Sequence, residues 1–149
     1  MCIRDRYYET ISGGSGAGQG FADTSVVQTH MTNSRLTDPE ILEFRFPVRL
    51  DSYALREGSG GHGQWSGGMG GVRRIRFLET MTASILSNGR IHPAFGVAGG
   101  QPGAPGINQV RRKDGSVEVL KHIGQVEMAP GDVFEIHTPG GGAYGAPEA

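Results

Sequence analysis

Cysteine is nearly absent from this sequence: Cys2 is the single one among 149 residues. An intrachain disulfide is therefore excluded, and neither a CxxC pair nor a Cys/His zinc pattern can be assembled. Long apolar runs are also missing, since no stretch approaches the roughly 20 apolar residues that span a membrane. The charged N-terminus is not followed by the apolar segment of an export signal. These absences predict a protein that is neither exported nor inserted in a membrane, and we expect it in the cytoplasm.

The chain also lacks an excess of charge of either sign. Its formal net charge is −1, with 14 basic and 15 acidic residues interspersed. Neither a basic surface for a polyanion nor an acidic tail is indicated, so we expect no nucleic-acid partner. The longest basic run, residues 111–113, leads directly into Asp114 and Gly115. That sequence is typical of a solvated hairpin tip.

Aromatic residues are few, 11 in all, and hydrophobic residues make up 36% of the chain. This composition is enough for one modest core, but hardly for two independent domains. The 26 glycines and 8 prolines raise the alternative of disorder. Apolar runs such as residues 75–78 and 133–136 argue against it, because they cluster or alternate as core strands do. We therefore predict a folded domain, or part of one.

The first six residues do not continue the pattern that begins at Tyr7. We interpret residues 1–6 as a non-native leader and exclude them from the fold prediction. Residues 7–11 then read as a strand that has lost whatever preceded it, which predicts a chain truncated at its N-terminus.

The remaining pattern predicts a mainly β fold, a sandwich or open barrel of short strands with glycine-rich loops and one short helix. Asp38 is the expected N-cap of that helix, Pro39 its first residue and Pro47 its end. The predicted strands are 48–55, 72–78, 81–86, 107–112, 117–120, 125–128 and 133–138.

The usual cofactor motifs are weak or missing. Residues 58–63 and 140–145 both match GxGxxG, but neither is a strand-to-helix turn that could hold a pyrophosphate. No GxxxxGK[ST] loop occurs, and the five histidines form no local metal-binding pair. No serine lies in a nucleophile elbow. We therefore predict no metal ligand and no ATP site in this chain, and the catalytic residues stay unassigned.

The densest polar cluster is residues 28–35, directly before the predicted helix. Loops of this kind often bind or orient a substrate. His30, Asn33 and Arg35 are the candidate substrate-binding residues, because a guanidinium can hold a carboxylate through two parallel hydrogen bonds and an imidazole can orient water. The alternative is a loop that satisfies its own backbone, with Arg35 paired to Asp38 or Glu40.

Residues 7–11 with the glycine loop after them, and above all residues 29–40 (THMTNSRLTDPE), closely resemble the hydantoinase B/oxoprolinase family. Later segments resemble it too: 55–61, 95–96 with 99–103, 130–132 and 138–142. Two departures are Met69, where the family usually has an acidic residue, and Ala143, within a run that is commonly all glycine. On this resemblance, residues 7–149 are the C-terminal part of a hydantoinase B-type domain.

The resemblance implies a hydrolase that opens a cyclic amide. A hydantoinase A-type half or subunit is expected to use ATP and a divalent metal such as Mg to phosphorylate the amide oxygen, after which the B half hydrolyses the ring. ATP and metal would both lie on parts of the enzyme absent here. For 5-oxo-L-proline the product is L-glutamate. We also expect a homo-oligomer, and a fragment that is inactive alone.

Two alternatives stay open. Related assemblies with the same B half include N-methylhydantoinases and the acetone and acetophenone carboxylases, which differ in substrate. The segment could also carry no chemistry and provide only packing and subunit contacts. Alanine at His30 and Asn33 would then lower stability and leave turnover intact.

Overall fold

The computed structural model describes residues 6–28 and 34–147. Its elements, in chain order, are one helix and seven strands: α1 (Pro39–Arg45), β1 (Val48–Leu55), β2 (Gly71–Phe77), β3 (Met81–Leu86), β4 (Ile107–Arg111), β5 (Val117–Leu120), β6 (Ile123–Met128) and β7 (Val133–His137). Within this part of the chain no helix is long and apolar enough to cross a membrane.

The strands form two antiparallel sheets, as predicted for a mainly β fold. The larger sheet has the order β1-β2-β7-β4-β5, and the smaller one pairs β3 with β6. The two sheets share one core, so the sandwich alternative is the one that the structure shows. Phe134, Ile136 and Val110 of the large sheet contribute to the same buried cluster as Met128 and Ala83 of the small sheet.

Helix α1 begins as its sequence predicts. The Asp38 side chain accepts a hydrogen bond from the Glu40 N–H at 3.0 Å, and Pro39 occupies a first-turn position where no amide hydrogen is needed. Leu42 is the buried residue of the helix and contributes to the core. The helix ends at Arg45, with Phe46 as its C-cap directly before Pro47.

The hairpin predicted at residues 113–115 is confirmed between β4 and β5. Gly115 has φ +89°, a conformation that glycine adopts at little cost. Asp114 Oδ1 accepts hydrogen bonds from the Ser116 backbone N–H and hydroxyl.

The strand predicted at residues 7–11 is wrong, since none is formed there. This segment is held by side chains instead. The Tyr7 ring packs against Phe46 with centroids 5.3 Å apart, and Glu9 pairs with Arg73 of β2. Alternating polar and apolar residues predicted an extended chain, but they do not supply a backbone partner.

A glycine-rich layer lies beyond the ends of β1, β2 and β7. Its central segment, residues 139–145, exchanges backbone hydrogen bonds with three others: 13–17, 59–68 and 95–104. The approach is too close for side chains. A Cβ on Gly141 would lie 1.6 Å from the Ser15 carbonyl oxygen, and one on Gly140 would lie 1.8 Å from that of Ser59.

Candidate functional site

The predicted substrate-binding loop leads into an open cleft, here called the Arg35 cleft. Its volume is about 420 Å³, within the range of small-molecule sites. Of the three predicted site residues, Arg35 lines it, while His30 and Asn33 lie outside the described residues. The other lining residues are Ser12, Val26, Val27, Gln28, Ser34, Leu36 and Tyr53.

Arg35 is exposed and forms no ion pair with Asp38 or Glu40. Asp38 instead uses its carboxylate to cap α1. The alternative role for Arg35, a local ion pair, is therefore not what the structure shows. A positive charge at the edge of a cleft, with no carboxylate partner among residues 6–28 and 34–147, is suited to an anionic ligand.

One wall of the Arg35 cleft is conformationally strained. Val26 has φ +52°, which a β-branched residue rarely adopts and which costs on the order of 1–3 kcal/mol. The Val26 N–H donates to the Met69 carbonyl oxygen at 3.1 Å, and the Met69 N–H donates to Ser25 Oγ at 2.9 Å. These bonds fix the segment against the glycine-rich layer. Met69 thus needs no carboxylate of its own to hold its backbone.

The floor beneath the cleft contains a buried ion pair. Arg73 lies under the Tyr53 ring at 5.5 Å from its centroid, and its Nε and Nη2 bind the two Glu9 oxygens at 2.7 and 2.9 Å. The Tyr7 hydroxyl also donates to Glu9, and burial, followed by that bond, raises the pKa of Tyr7. The pair ties residues 7–9 to β2 directly under the cleft.

A second carboxylate cluster lies on the face of the large sheet opposite the core. Glu135 is buried there and binds Arg74 at 3.0 Å, Arg111 at 3.5 Å and His137 Nε2 at 2.6 Å. Burial alone would raise the pKa of Glu135, but the hydrogen bonds from Arg74 and His137 outweigh it and lower the pKa to about 2. Glu135 is therefore a fixed negative charge. His137, interpreted from sequence as an ordinary strand residue, is one of its three partners.

The residues 6–28 and 34–147 do not fit a metal or nucleotide site. No three His, Cys, Asp or Glu side chains among them converge to hold a metal ion. The two GxGxxG matches pack against each other, with the Gly61 N–H donating to the Gly141 carbonyl oxygen at 2.9 Å. Their glycines serve backbone packing, and we assign neither ATP nor metal to them.

Ala143 shows how the layer accommodates one departure from glycine. The side chain is almost completely buried, and a Cβ on Gly63 would lie 2.8 Å from the Ala143 methyl. The absence of a side chain at Gly63 therefore makes room for the one at position 143.

Sequence reasoning missed Arg73 with Glu9, Glu135 with its partners, and the pair Arg56 and Arg90 described below. Glu9 and Arg73 lie 64 residues apart, so no local spacing could have linked them. In β2 the arginines read as the solvent face of an alternating strand, yet Arg73 is on the core side. The one sequence signal that bore on this ion pair was the predicted strand at residues 7–11, which contains Tyr7 and Glu9.

The fold, the capped helix after the polar loop and the glycine-rich layer together place this protein in a known class. The chain belongs to the hydantoinase B/oxoprolinase family, whose sequence profile matches residues 4–147.

The chain is 49% identical to 5-oxoprolinase 1 of Arabidopsis thaliana over 140 residues, which is 94% of this chain and 11% of that protein. Two solved structures share its fold. The ATP-dependent caprolactamase of Pseudomonas jessenii matches 91% of this chain and 24% of its own, with a TM-score of 0.75 and 23% identity. Acetone carboxylase matches 90% of this chain and 22% of its own, with a TM-score of 0.72 and 18% identity.

Proposed function

We propose that this chain is the C-terminal part of an ATP-dependent 5-oxoprolinase, a cytoplasmic hydrolase that converts 5-oxo-L-proline to L-glutamate in glutathione metabolism. The observation that carries the proposal is the 49% identity to a 5-oxoprolinase across nearly the whole chain. Because the chain spans about a tenth of that relative, the activity belongs to a longer enzyme.

In this proposal, ATP and a divalent metal such as Mg bind to parts of the enzyme outside this chain. A hydantoinase A-type half or subunit would supply the phosphoryl transfer to the amide oxygen. Phosphorylation removes the amide resonance that protects the five-membered ring, so that water can attack the carbon. We further propose that the complete enzyme is a homo-oligomer.

Within this chain the proposed role is to hold the substrate. Arg35 binds the carboxylate of 5-oxoproline, which matches a guanidinium at the cleft edge that pairs with no carboxylate of the described residues. His30 and Asn33, from the same loop, orient the substrate or water. Ser12 and Gln28 also line the cleft with polar groups.

The deciding experiment assays the complete polypeptide that carries this chain for ATP-dependent formation of glutamate from 5-oxoproline. Glutamate formed together with an equal amount of ADP is the expected result. No glutamate from a folded, complete protein would contradict the proposal and point to an N-methylhydantoinase or a carboxylase relative.

Arg35→Ala in that enzyme is expected to raise the KM for 5-oxoproline roughly 10- to 100-fold, the loss of a charged hydrogen-bonded pair of about 1.5–3 kcal/mol. Arg45→Ala, in the last turn of α1, is the matched control and should leave KM unchanged. An unchanged KM in the Arg35 variant would remove Arg35 from the substrate site.

The acetone carboxylase fold supports a second candidate, a carboxylase subunit. The purely structural role makes a different prediction. His30→Ala and Asn33→Ala would then lower the melting temperature or disturb assembly, while the assembled enzyme keeps its turnover.

A further inference from the structure

Arg56, directly after β1, uses only part of its guanidinium in hydrogen bonds within the described residues. Its Nη1 donates to the carbonyl oxygens of Pro105 at 2.7 Å and Thr138 at 3.3 Å. Among residues 6–28 and 34–147, no acceptor is bound by its Nε or Nη2. The guanidinium is therefore anchored at one nitrogen and presents one edge, with two N–H groups, to a further ligand.

Arg90 is held rigidly beside it. Its Nε and Nη2 share Asn108 Oδ1 at 3.2 and 2.9 Å, and Nη1 donates to the Asn88 carbonyl oxygen at 2.7 Å. Asn108 is fully buried, and its amide nitrogen donates to Ser87 Oγ and to the Lys121 carbonyl oxygen. All four acceptors around Arg90 and its support are neutral oxygens, so no carboxylate among residues 6–28 and 34–147 compensates its positive charge.

Both guanidiniums approach the same short segment, residues 105–106. Arg56 binds the carbonyl of Pro105, and a Cβ on the next residue, Gly106, would lie 2.8 Å from Arg90 Nε. Burial, and after it the charge of Arg56, lowers the pKa of Arg90 to about 10. Two partly buried like charges without an anion are costly to a fold.

No other arginine in the described part of the chain shares this situation. Six of them pair with carboxylates: Arg49, Arg73, Arg74, Arg76, Arg111 and Arg112. Three others, Arg6, Arg35 and Arg45, are exposed to solvent. Arg56 and Arg90 alone among the described arginines are both shielded and without a carboxylate.

We propose that Arg56 and Arg90 form a binding site for a carboxylate group. The planar edge of Arg56, Nε with Nη2, matches the two oxygens of a carboxylate through parallel hydrogen bonds, while Arg90 contributes a fixed positive charge. The site is separate from the Arg35 cleft, whose lining residues include neither arginine. It rests on the geometry of the two arginines alone and does not depend on the proposed function.

Acetate is the probe for this site. In the 149-residue chain labelled with ¹⁵N, the Arg56 Nε–Hε resonance is expected to shift saturably as acetate replaces chloride at constant ionic strength. Arg45 is the internal control, because it is an exposed arginine that should show only a small linear drift. A shift at Arg56 no larger than that at Arg45 would overturn the proposal.

Two variants separate binding from a loss of structure. Arg90→Gln removes the supporting charge and should weaken acetate binding at Arg56 several-fold while the resonance remains. Arg56→Lys keeps the charge but loses the two-nitrogen edge, and should also weaken binding, followed through the Arg90 resonance. Affinity unchanged in both variants would contradict the site.

The natural carboxylate has two sources with the same chemistry: an Asp or Glu of the polypeptide outside this chain, or a free small carboxylate. The complete polypeptide distinguishes them. Acetate that binds the 149-residue chain but not the complete polypeptide identifies a side chain that already fills the site. Binding to both identifies a free ligand, for which 5-oxoproline and glutamate are the next probes.

Discussion

At the scale of single residues, several buried charges are paired with side chains of opposite charge rather than hydrated. Glu135 binds two arginines of the neighbouring strands, Arg74 and Arg111, and His137 of its own strand, and Arg73 holds Glu9 with two parallel bonds. Buried charges of this kind are costly to separate, because removing one partner leaves the other without solvent. Stability should therefore respond strongly to pH and to single substitutions at these positions.

Glu135 is predicted to make the chain acid-sensitive. Its pKa is about 2 in the folded chain against an ordinary value of 4.5, so the unfolded chain takes up a proton first as pH falls. The stabilisation is present in full above about pH 4.5 and is lost between there and pH 2. Urea unfolding at several pH values in this window should show a flatter dependence for Glu135→Gln. Glu57→Gln, at an exposed position, should leave the slope unchanged.

Arg73→Met is predicted to destabilise the chain by about 3–5 kcal/mol, because it leaves the Glu9 carboxylate enclosed without its cation. Arg49→Met is the matched control, since the pair of Arg49 with Asp51 is exposed and worth under about 1 kcal/mol. Denaturant unfolding measures both. The combined variant Arg73→Met with Glu9→Gln should recover part of the loss, and equal costs for Arg73 and Arg49 would contradict the assignment.

At the scale of elements, the strands and the helix were predictable because their signals are local. Apolar alternation located all seven strands to within two residues, and Asp38 with Pro39 located the start of α1. The partners of those strands were not predictable, since β2 lies between β1 and β7 and pairing with β7 spans some 60 residues. For the same reason the polar loop before α1 predicted Arg35, while Arg56 depends on contacts 49 and 82 residues away and Arg90 on Asn108 of β4.

The turn between β4 and β5 tests how much the backbone conformation of one glycine contributes to the stability of the hairpin. Gly115→Ala is predicted to cost about 1–2 kcal/mol, because a residue with a Cβ is strained at φ +89° although no atom lies within 4 Å. Gly124→Ala, in β6 with equally open surroundings and no positive φ, should be neutral or stabilise by up to about 1 kcal/mol. Thermal unfolding compares the two. Because both positions have open surroundings, a similar loss of stability at both would contradict a conformational cost specific to Gly115.

At the scale of the whole molecule, two kinds of packing coexist. The sandwich buries side chains between its sheets, whereas the glycine-rich layer packs backbone against backbone around residues 139–145. Met69, which directly follows segment 59–68 of the layer, accepts the hydrogen bond from Val26 and so fixes one wall of the Arg35 cleft. Damage to the layer should therefore reach both the stability and the cleft.

Gly141→Ala is predicted to destabilise the chain by about 1–3 kcal/mol or more. Its methyl would overlap the Ser15 carbonyl, which is part of the backbone and cannot rotate aside as a flexible side chain could. Gly16→Ala is the matched control within the same layer. A Cβ there would meet its nearest atom, the Gly142 carbonyl oxygen, at 3.8 Å, which is ordinary contact. Chemical denaturation should separate the two variants clearly, and equal stability would mean that the layer yields to side chains.

The central segment of the glycine-rich layer is also the last of its four segments to be made. Residues 139–145 come after every segment to which they hydrogen-bond. During synthesis, the backbone groups of 13–17, 59–68 and 95–104 therefore lack these partners until residues 139–145 have been made. The sandwich strands β1 to β7 are all translated before that point. Strand β7 lies inside the large sheet and directly precedes residues 139–145, so the sheet and the layer are completed almost together as the chain leaves the ribosome. The layer therefore closes only once residues 139–145 are available to all three of its other segments.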